Sequence, residues 1–206
     1  MEPTGERTLD ERDLAATWLE QFRRWQAEFA ADGSHEATAM VLATAAADGQ
    51  PSARTVLLKG VDERGFEFFT NLDSRKGREL AENPRASLLF PWYELERQVV
   101  VVGAVEAVSI ERADEYFAGR PYGSRIGAQA SRQSSVIADR SVLDRARAEL
   151  EARYPPDGPV PRPARWAGFR VLPATVEFWQ GRPDRLHDRL RFRRDGQGWV
   201  VERLSP

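Results

Sequence analysis

Near the start of the chain the apolar positions recur at three- and four-residue spacing. Leu14, Trp18, Phe22, Trp25 and Phe29 form one stripe, the period of an amphipathic helix. Thr8 and Glu11 stand ahead of it at capping-box spacing. The pattern predicts a tail over residues 1–8 and a helix over 9–31, with its aromatic face turned to the core or to a second subunit. Asp32-Gly33-Ser34 breaks the helical period. TAMVLATAA, a DGQP turn, SARTVLLK, an ERG turn and FEFFTNL then read as three strands of an antiparallel meander, and RASLLF and RQVVVVGAVEAVSI add two more. Helical segments interrupt the strands at 74–82, 109–118 and 141–153, the last opened by Ser141 and Asp144 at capping spacing.

A proline-rich stretch, PPDGPVPRPARW, reads as a surface connector. It precedes four further strands, AGFRVL, ATVEFWQ, DRLRFRR and GWVVERL. The order predicts a β-rich α+β fold, an antiparallel barrel with peripheral helices, built as one domain over residues 1–206. It lacks the strand–helix–strand repeat of a doubly wound fold.

Composition narrows the chemistry. Cysteine is absent and histidine occurs only at His35 and His187, so disulfides, thiolate metal sites and multi-histidine metal centres are excluded. Redox work, if there is any, then falls to an organic cofactor. A formal net charge of −2 gives no global field for a nucleic-acid backbone. No apolar run reaches the roughly 20 residues of a membrane span, and the polar start MEPTGERTLDERD lacks a signal-peptide core; a cytoplasmic protein is expected. Only Lys59 and Lys76 are lysines among thirty basic residues, a bias that marks two places for a compact point charge as readily as chance survival.

Several segments bear groups suited to an anion. Arg185, His187 and Arg189 occupy alternate positions; on a strand they would share one face, as an anion site or as an ion-paired solvent face. The aromatic segment VEFWQG before them adds the apolar surface that holds flat ligands. Ser74-Arg75-Lys76 opens a helix, where cations make sense beside a bound phosphate, or as a solvated turn countered by Glu79 and Glu82. Arg54 and Lys59 bracket TVLL and fall on opposite faces of a regular strand. Tyr116, Arg120, Ser124 and Arg125 run from a helix end into a loop, and Gln133-Ser134-Ser135 offers several hydrogen-bond donors. Together these are more anion-binding groups than one phosphate needs.

RTVLLK, FFTN…SRKGREL, SLLFPW, ERQV, the YF…RP…S…IGA stretch, QSS, FRV…VEFWQG and RLHDR occur in that order. The series resembles the pyridoxine/pyridoxamine 5′-phosphate oxidase family from about Ala37 to Pro206. The resemblance implies a split β-barrel homodimer with FMN in two sites at the subunit interface. The implied activity is oxidation of pyridoxine or pyridoxamine 5′-phosphate to pyridoxal 5′-phosphate, by hydride transfer to the flavin, with O₂ reoxidising it to release H₂O₂. It places Arg54, Thr55, Val56, Leu57, Leu58, Lys59, Phe69, Thr70, Arg75 and Lys76 on FMN, completed by Gln98, Gln133, Ser134, Trp179 and Arg189. Lys59, Tyr116, Arg120 and Ser124 are implied to hold the substrate phosphate, with Arg185 and His187 as the catalytic pair facing the substrate. The chain departs from the family pattern in lacking an N-terminal Arg-x-x-Tyr element, and at Gln129 and Ala167. A related oxidase acting on a phenazine-type ring would share the barrel and most FMN residues, and a carrier that binds pyridoxal phosphate or flavin without turnover is the alternative from another class.

Overall fold

In the computed structural model residues 7–31 and 36–206 are described; the break at Asp32-Gly33-Ser34 and most of the tail lie outside them. Nine strands form one antiparallel sheet: β1 (Ala39–Ala45), β2 (Pro51–Leu57), β3 (Gly60–Asp62), β4 (Gly65–Asn71), β5 (Arg85–Trp92), β6 (Arg97–Ala107), β7 (Trp166–Gln180), β8 (Asp188–Asp195) and β9 (Gly198–Arg203). The order is β2-β1-β5-β6-β7-β4-β3, with β8 on β7 and β9 on β8. Among the described residues the α-helices are α1 (Trp18–Ala31), α2 (Arg75–Glu82), α3 (Ile110–Ala118), α4 (Tyr122–Ala130) and α5 (Ser141–Arg153).

The sheet curls because β7 serves two partners on one edge. Its first half pairs with β4, from Phe66↔Val171 to Asn71↔Trp166, and its second half with β8, from Thr175↔Arg193 to Gln180↔Asp188. Its other edge is occupied by β6 along its length. The sequence pattern divides this segment into two strands at Pro173, yet it is one strand of 15 residues. Proline lacks the ladder N–H, and the β6–β7 register shifts beside its partner Gly103, so the ring sits at a bulge instead of ending the strand.

The aromatic stripe packs inward. Phe22 is fully buried and its ring meets those of Phe66, Phe90 and Trp92 at 5.0, 4.9 and 5.6 Å. Trp25 meets Phe178 edge-on, and the Arg97 guanidinium lies 4.4 Å from its ring centroid. Arg97 also pairs with Glu28 and donates to Gln180, which ties α1 to the barrel by charge as well as by apolar contact.

Two predicted helix starts move. Over 9–31 only Trp18–Ala31 is α-helical; Asp10, not Thr8, caps a separate 3-10 turn at Glu11–Asp13, and Leu14 leaves it in extended backbone. Thr17 then accepts from the Glu20 amide and Gln21 from that of Ala15, giving α1 its own start. Before α5, the Ser141 amide donates to Asp139 and no side chain caps at Arg140, so Ser141 lies inside the helix.

Candidate functional site

A cleft of about 470 Å³ opens where the end of β2, β4 and the start of α2 meet α3 and α4. It gathers Thr55, Val56, Leu57, Lys59, Phe69, Thr70, Lys76, Tyr116, Arg120, Ser124 and Gln133, eleven of the expected site residues from seven separate stretches of chain. Asn71, Gly127, Ala128, Ser131 and Trp166 also line it.

Local chemistry explains each placement. Ser74 caps α2 by accepting from the Gly77 amide, which sets the next turn against Asn71 and Leu72. A β-carbon on Gly77 would lie 2.2 Å from the Leu72 carbonyl oxygen, so only glycine permits this approach. Lys76 is thereby turned inward, its Nζ donating to Thr70 Oγ1 and Gln133 Oε1, each at 3.1 Å. On α3, Ser109 caps the first turn and Arg112 and Tyr116 share a face. Tyr116, Phe69 and Trp166 stack almost parallel, Phe69 lying 4.2 Å from Tyr116 and 5.2 Å from Trp166. Gly168 makes room for this stack, since a β-carbon there would come within 2.5 Å of the Phe69 ring. Arg120 lies over Trp166 at 5.1 Å.

The electrostatics are one-sided. Lys59, Lys76 and Arg120 line the cleft and, among the described residues, no Asp or Glu does. Burial lowers the Lys76 pKa, and the charge of Arg54 adds to this against the opposing pull of Glu79. Burial also lowers that of Arg120, whose Nη1 is buried without a hydrogen-bond partner. Buried cations are normally paired, so this donor set fits phosphate groups, and the stacked rings fit a flat ring system.

Arg54 and Arg75 are held behind the cleft. Arg54 donates to Leu42 O, Thr44, Ser52 and Glu79, on the face of β2 opposite Thr55 and Leu57, while Arg75 pairs with Glu79 at 2.8 Å. Burial works to raise the Glu79 pKa, but hydrogen bonds from Ser52, Thr44 and Arg75 and the charge of Arg54 hold it at about 2. Leu58 is buried in the core, and Ser134 is exposed with a left-handed backbone, φ 71°.

A second group lies elsewhere on the sheet. Gln98, Trp179 and Arg189 are cross-strand neighbours on β6, β7 and β8. Trp179 is eleven residues along β7 from Gly168, the partner of Phe69, or roughly 35 Å of strand at ~3.3 Å per residue. Arg189 is engaged by Glu177 at 2.7 Å and by the Ser205 carbonyl. The His187 ring rests on Trp179 at 4.6 Å. Arg185 and His187 do not lie on a strand with Arg189, so the expected shared face fails. Pro183–Arg185 is a 3-10 turn with Asp184 and Arg185 left-handed, and β8 starts only at Asp188. Arg185 is exposed.

Of the departures, Gln129 points away from the cleft and donates to the Pro161 carbonyl, and Ala167 pairs with Thr70 on β7 without lining it. The N-terminal segment is fixed beside His187: Leu9 donates to Asp188, and Arg203 pairs with both Glu11 and Asp188. The sequence reading missed α4. Ser124, Gly127 and Ala128 stand at helical spacing with Ser131 following as the C-cap, but they are too small to form a hydrophobic stripe that announces a helix.

A curled antiparallel barrel with a cation-lined cleft beside stacked aromatic rings defines a protein that binds flat phosphorylated ligands. A pyridoxamine 5′-phosphate oxidase family model matches residues 27–154, and a pyridoxine 5′-phosphate oxidase C-terminal dimerisation region matches 166–206. The pyridoxine/pyridoxamine 5′-phosphate oxidase of Frankia alni is 59% identical over 100% of this chain and 89% of its own length. That of Burkholderia multivorans is 56% identical over 97% and 94%. The crystal structure of PhzG from Burkholderia lata 383, in complex with tetrahydrophenazine-1-carboxylic acid, superposes with a TM-score of 0.91 at 36% identity, covering 98% of both chains. The chain belongs to the pyridoxine/pyridoxamine 5′-phosphate oxidase family.

Proposed function

We propose that the protein is an FMN-dependent oxidase that converts pyridoxamine or pyridoxine 5′-phosphate to pyridoxal 5′-phosphate with O₂ as acceptor and release of H₂O₂. The observation that carries this is the cleft with Lys59, Lys76 and Arg120 and no lining carboxylate among the described residues. Two phosphorylated ligands account for that excess better than one. It favours a phosphorylated B6 substrate over a phenazine carboxylate, although the PhzG fold is nearly superposable.

In this reading Lys76, Thr70 and Gln133 hold the FMN phosphate and Thr55, Val56 and Leu57 of β2 lie along the flavin, while Arg54 and Arg75 back the site from behind through Glu79. Lys59, Tyr116, Arg120 and Ser124 hold the substrate phosphate. Bound FMN supplies the two-electron acceptor for the substrate carbon bearing the amine or alcohol. The chain itself binds, orients and excludes water. The row Gln98–Trp179–Arg189, with Arg185 and His187, completes the cleft of a second copy in a homodimer, since within one chain it lies far along β7 from the cleft. The matched C-terminal dimerisation region supports that pairing. No helix among the described residues is long and apolar enough to cross a membrane, and the cytoplasm is the compartment of this reading.

The test is an absorbance spectrum of the purified protein followed by anaerobic pyridoxamine 5′-phosphate. Flavin bands that bleach with substrate and return with air are expected. Flavin that stays oxidised would move the substrate elsewhere, and a protein unable to take up FMN would overturn the proposal.

A further inference from the structure

The segment between β7 and β8 is bent back on itself. Asp184 and Arg185 have φ of 56° and 60°, and the Leu186 amide donates to Pro183 O. Two successive left-handed residues other than glycine are uncommon and persist only where their surroundings enforce them. The bend brings the Arg182 backbone N–H to His187 Nδ1 at 3.1 Å. The far side of the ring is fixed by Trp179, with centroids 4.6 Å apart. Below it, Asp188 is held by Arg203 at 3.0 Å and by the Leu9 amide at 3.1 Å.

A neutral imidazole has one N–H and one lone pair. At His187 the lone pair is Nδ1 and is already accepting from Arg182, so the N–H belongs to Nε2. A proton on Nδ1 and the Arg182 hydrogen bond exclude one another. We infer that His187 acts at the oxidase site as a neutral hydrogen-bond donor through Nε2, locked in that tautomer by the Arg182 backbone, and not as a general base. The inference rests on the proposed oxidase reading for the ligand it addresses, an acceptor atom on the substrate ring. The tautomer itself rests on this chain alone. Arg182 is thus a positioning residue through its main chain, and the strained turn at 183–186 is what presents its N–H.

Two measurements test this separately from turnover as such. Two-bond ¹H–¹⁵N correlation of the FMN-loaded protein, recorded at about pH 8.5 where the imidazole signals are those of the neutral ring, reads the tautomer directly. The chain has only His35 and His187, so His35→Gln assigns the signals. A protonated Nε2 with a lone-pair Nδ1 is expected; a protonated Nδ1, or an even mixture, overturns the inference.

The second measurement compares His187→Gln, whose amide N–H reaches toward the ε2 position, with His187→Asn, whose amide oxygen mimics only Nδ1. Glutamine should retain at least about tenfold more kcat/KM for pyridoxamine 5′-phosphate than asparagine, with FMN retention equal in both. Equal loss in the two variants, as removal of a base would give, overturns it. Absence of turnover in the unsubstituted protein would instead remove the oxidase reading while leaving the spectroscopic result standing.

Discussion

Arg120→Met separates a ligand-binding cation from a packing residue. The Arg120 guanidinium lies over Trp166 at 5.1 Å and Phe117 at 5.6 Å, and its Nη1 is buried without a partner. In the ligand-free protein two effects oppose. Methionine gives up the ring contacts, each about 0.5–2 kcal/mol, but it also removes a buried charge with no carboxylate beside it, which costs the folded state a similar amount or more. The net change should lie within about 1 kcal/mol, or about 2–4 °C in Tm for a chain of this size. With substrate present, the loss is one charge-assisted contact to phosphate, about 1.5–3 kcal/mol, hence roughly 10- to 150-fold in KM. Calorimetry of the ligand-free protein and steady-state H₂O₂ release with pyridoxamine 5′-phosphate measure the two halves. A variant that melts more than about 5 °C lower while keeping its KM would show that Arg120 serves the aromatic stack and not a ligand.

Glu79 holds Arg54 and Arg75 behind the cleft with its pKa at about 2. Because the folded value lies below the unfolded one of about 4.3, its contribution, of order 3 kcal/mol, is present above about pH 4.5 and lost as pH falls toward 2. Glu79→Gln should therefore lower Tm at pH 7 and flatten its dependence on pH between 5 and 2; an unchanged acid profile would contradict the assignment. Gly168→Ala places a β-carbon 2.5 Å from the Phe69 ring and should cost about 1–3 kcal/mol and weaken substrate binding through the displaced stack, read by melting and by KM together. Arg185→Leu should lower turnover far more than FMN retention, and equal loss of both would sink its place at the substrate.

The sequence by itself located most strands, most helices and nearly every side chain suited to a phosphate, because strand alternation, caps and charged residue types are local properties; it did not show the short β3, and the expected three-strand meander fails because β4 pairs with β3 and β7, not with β2. It also carried the family, through short motifs in fixed order. Where local signals were ambiguous it misplaced elements. Pro173 divides a strand in the pattern but sits at a bulge in the fold. The small residues of α4 hide a helix because a wall facing a ligand cleft gains nothing from an apolar stripe. Alternate spacing of Arg185, His187 and Arg189 suggests one face, yet two left-handed residues turn the chain first.

Only tertiary structure decided which cations stand together. Lys59, Lys76 and Arg120 are separated in sequence and meet because β2, α2 and α3 converge at one end of the barrel. Arg54 and Arg75, equally basic on the page, are drawn to Glu79 instead. The physical reason is that charge is legible residue by residue, whereas compensation of charge depends on neighbours that long-range strand pairing and helix packing bring into contact.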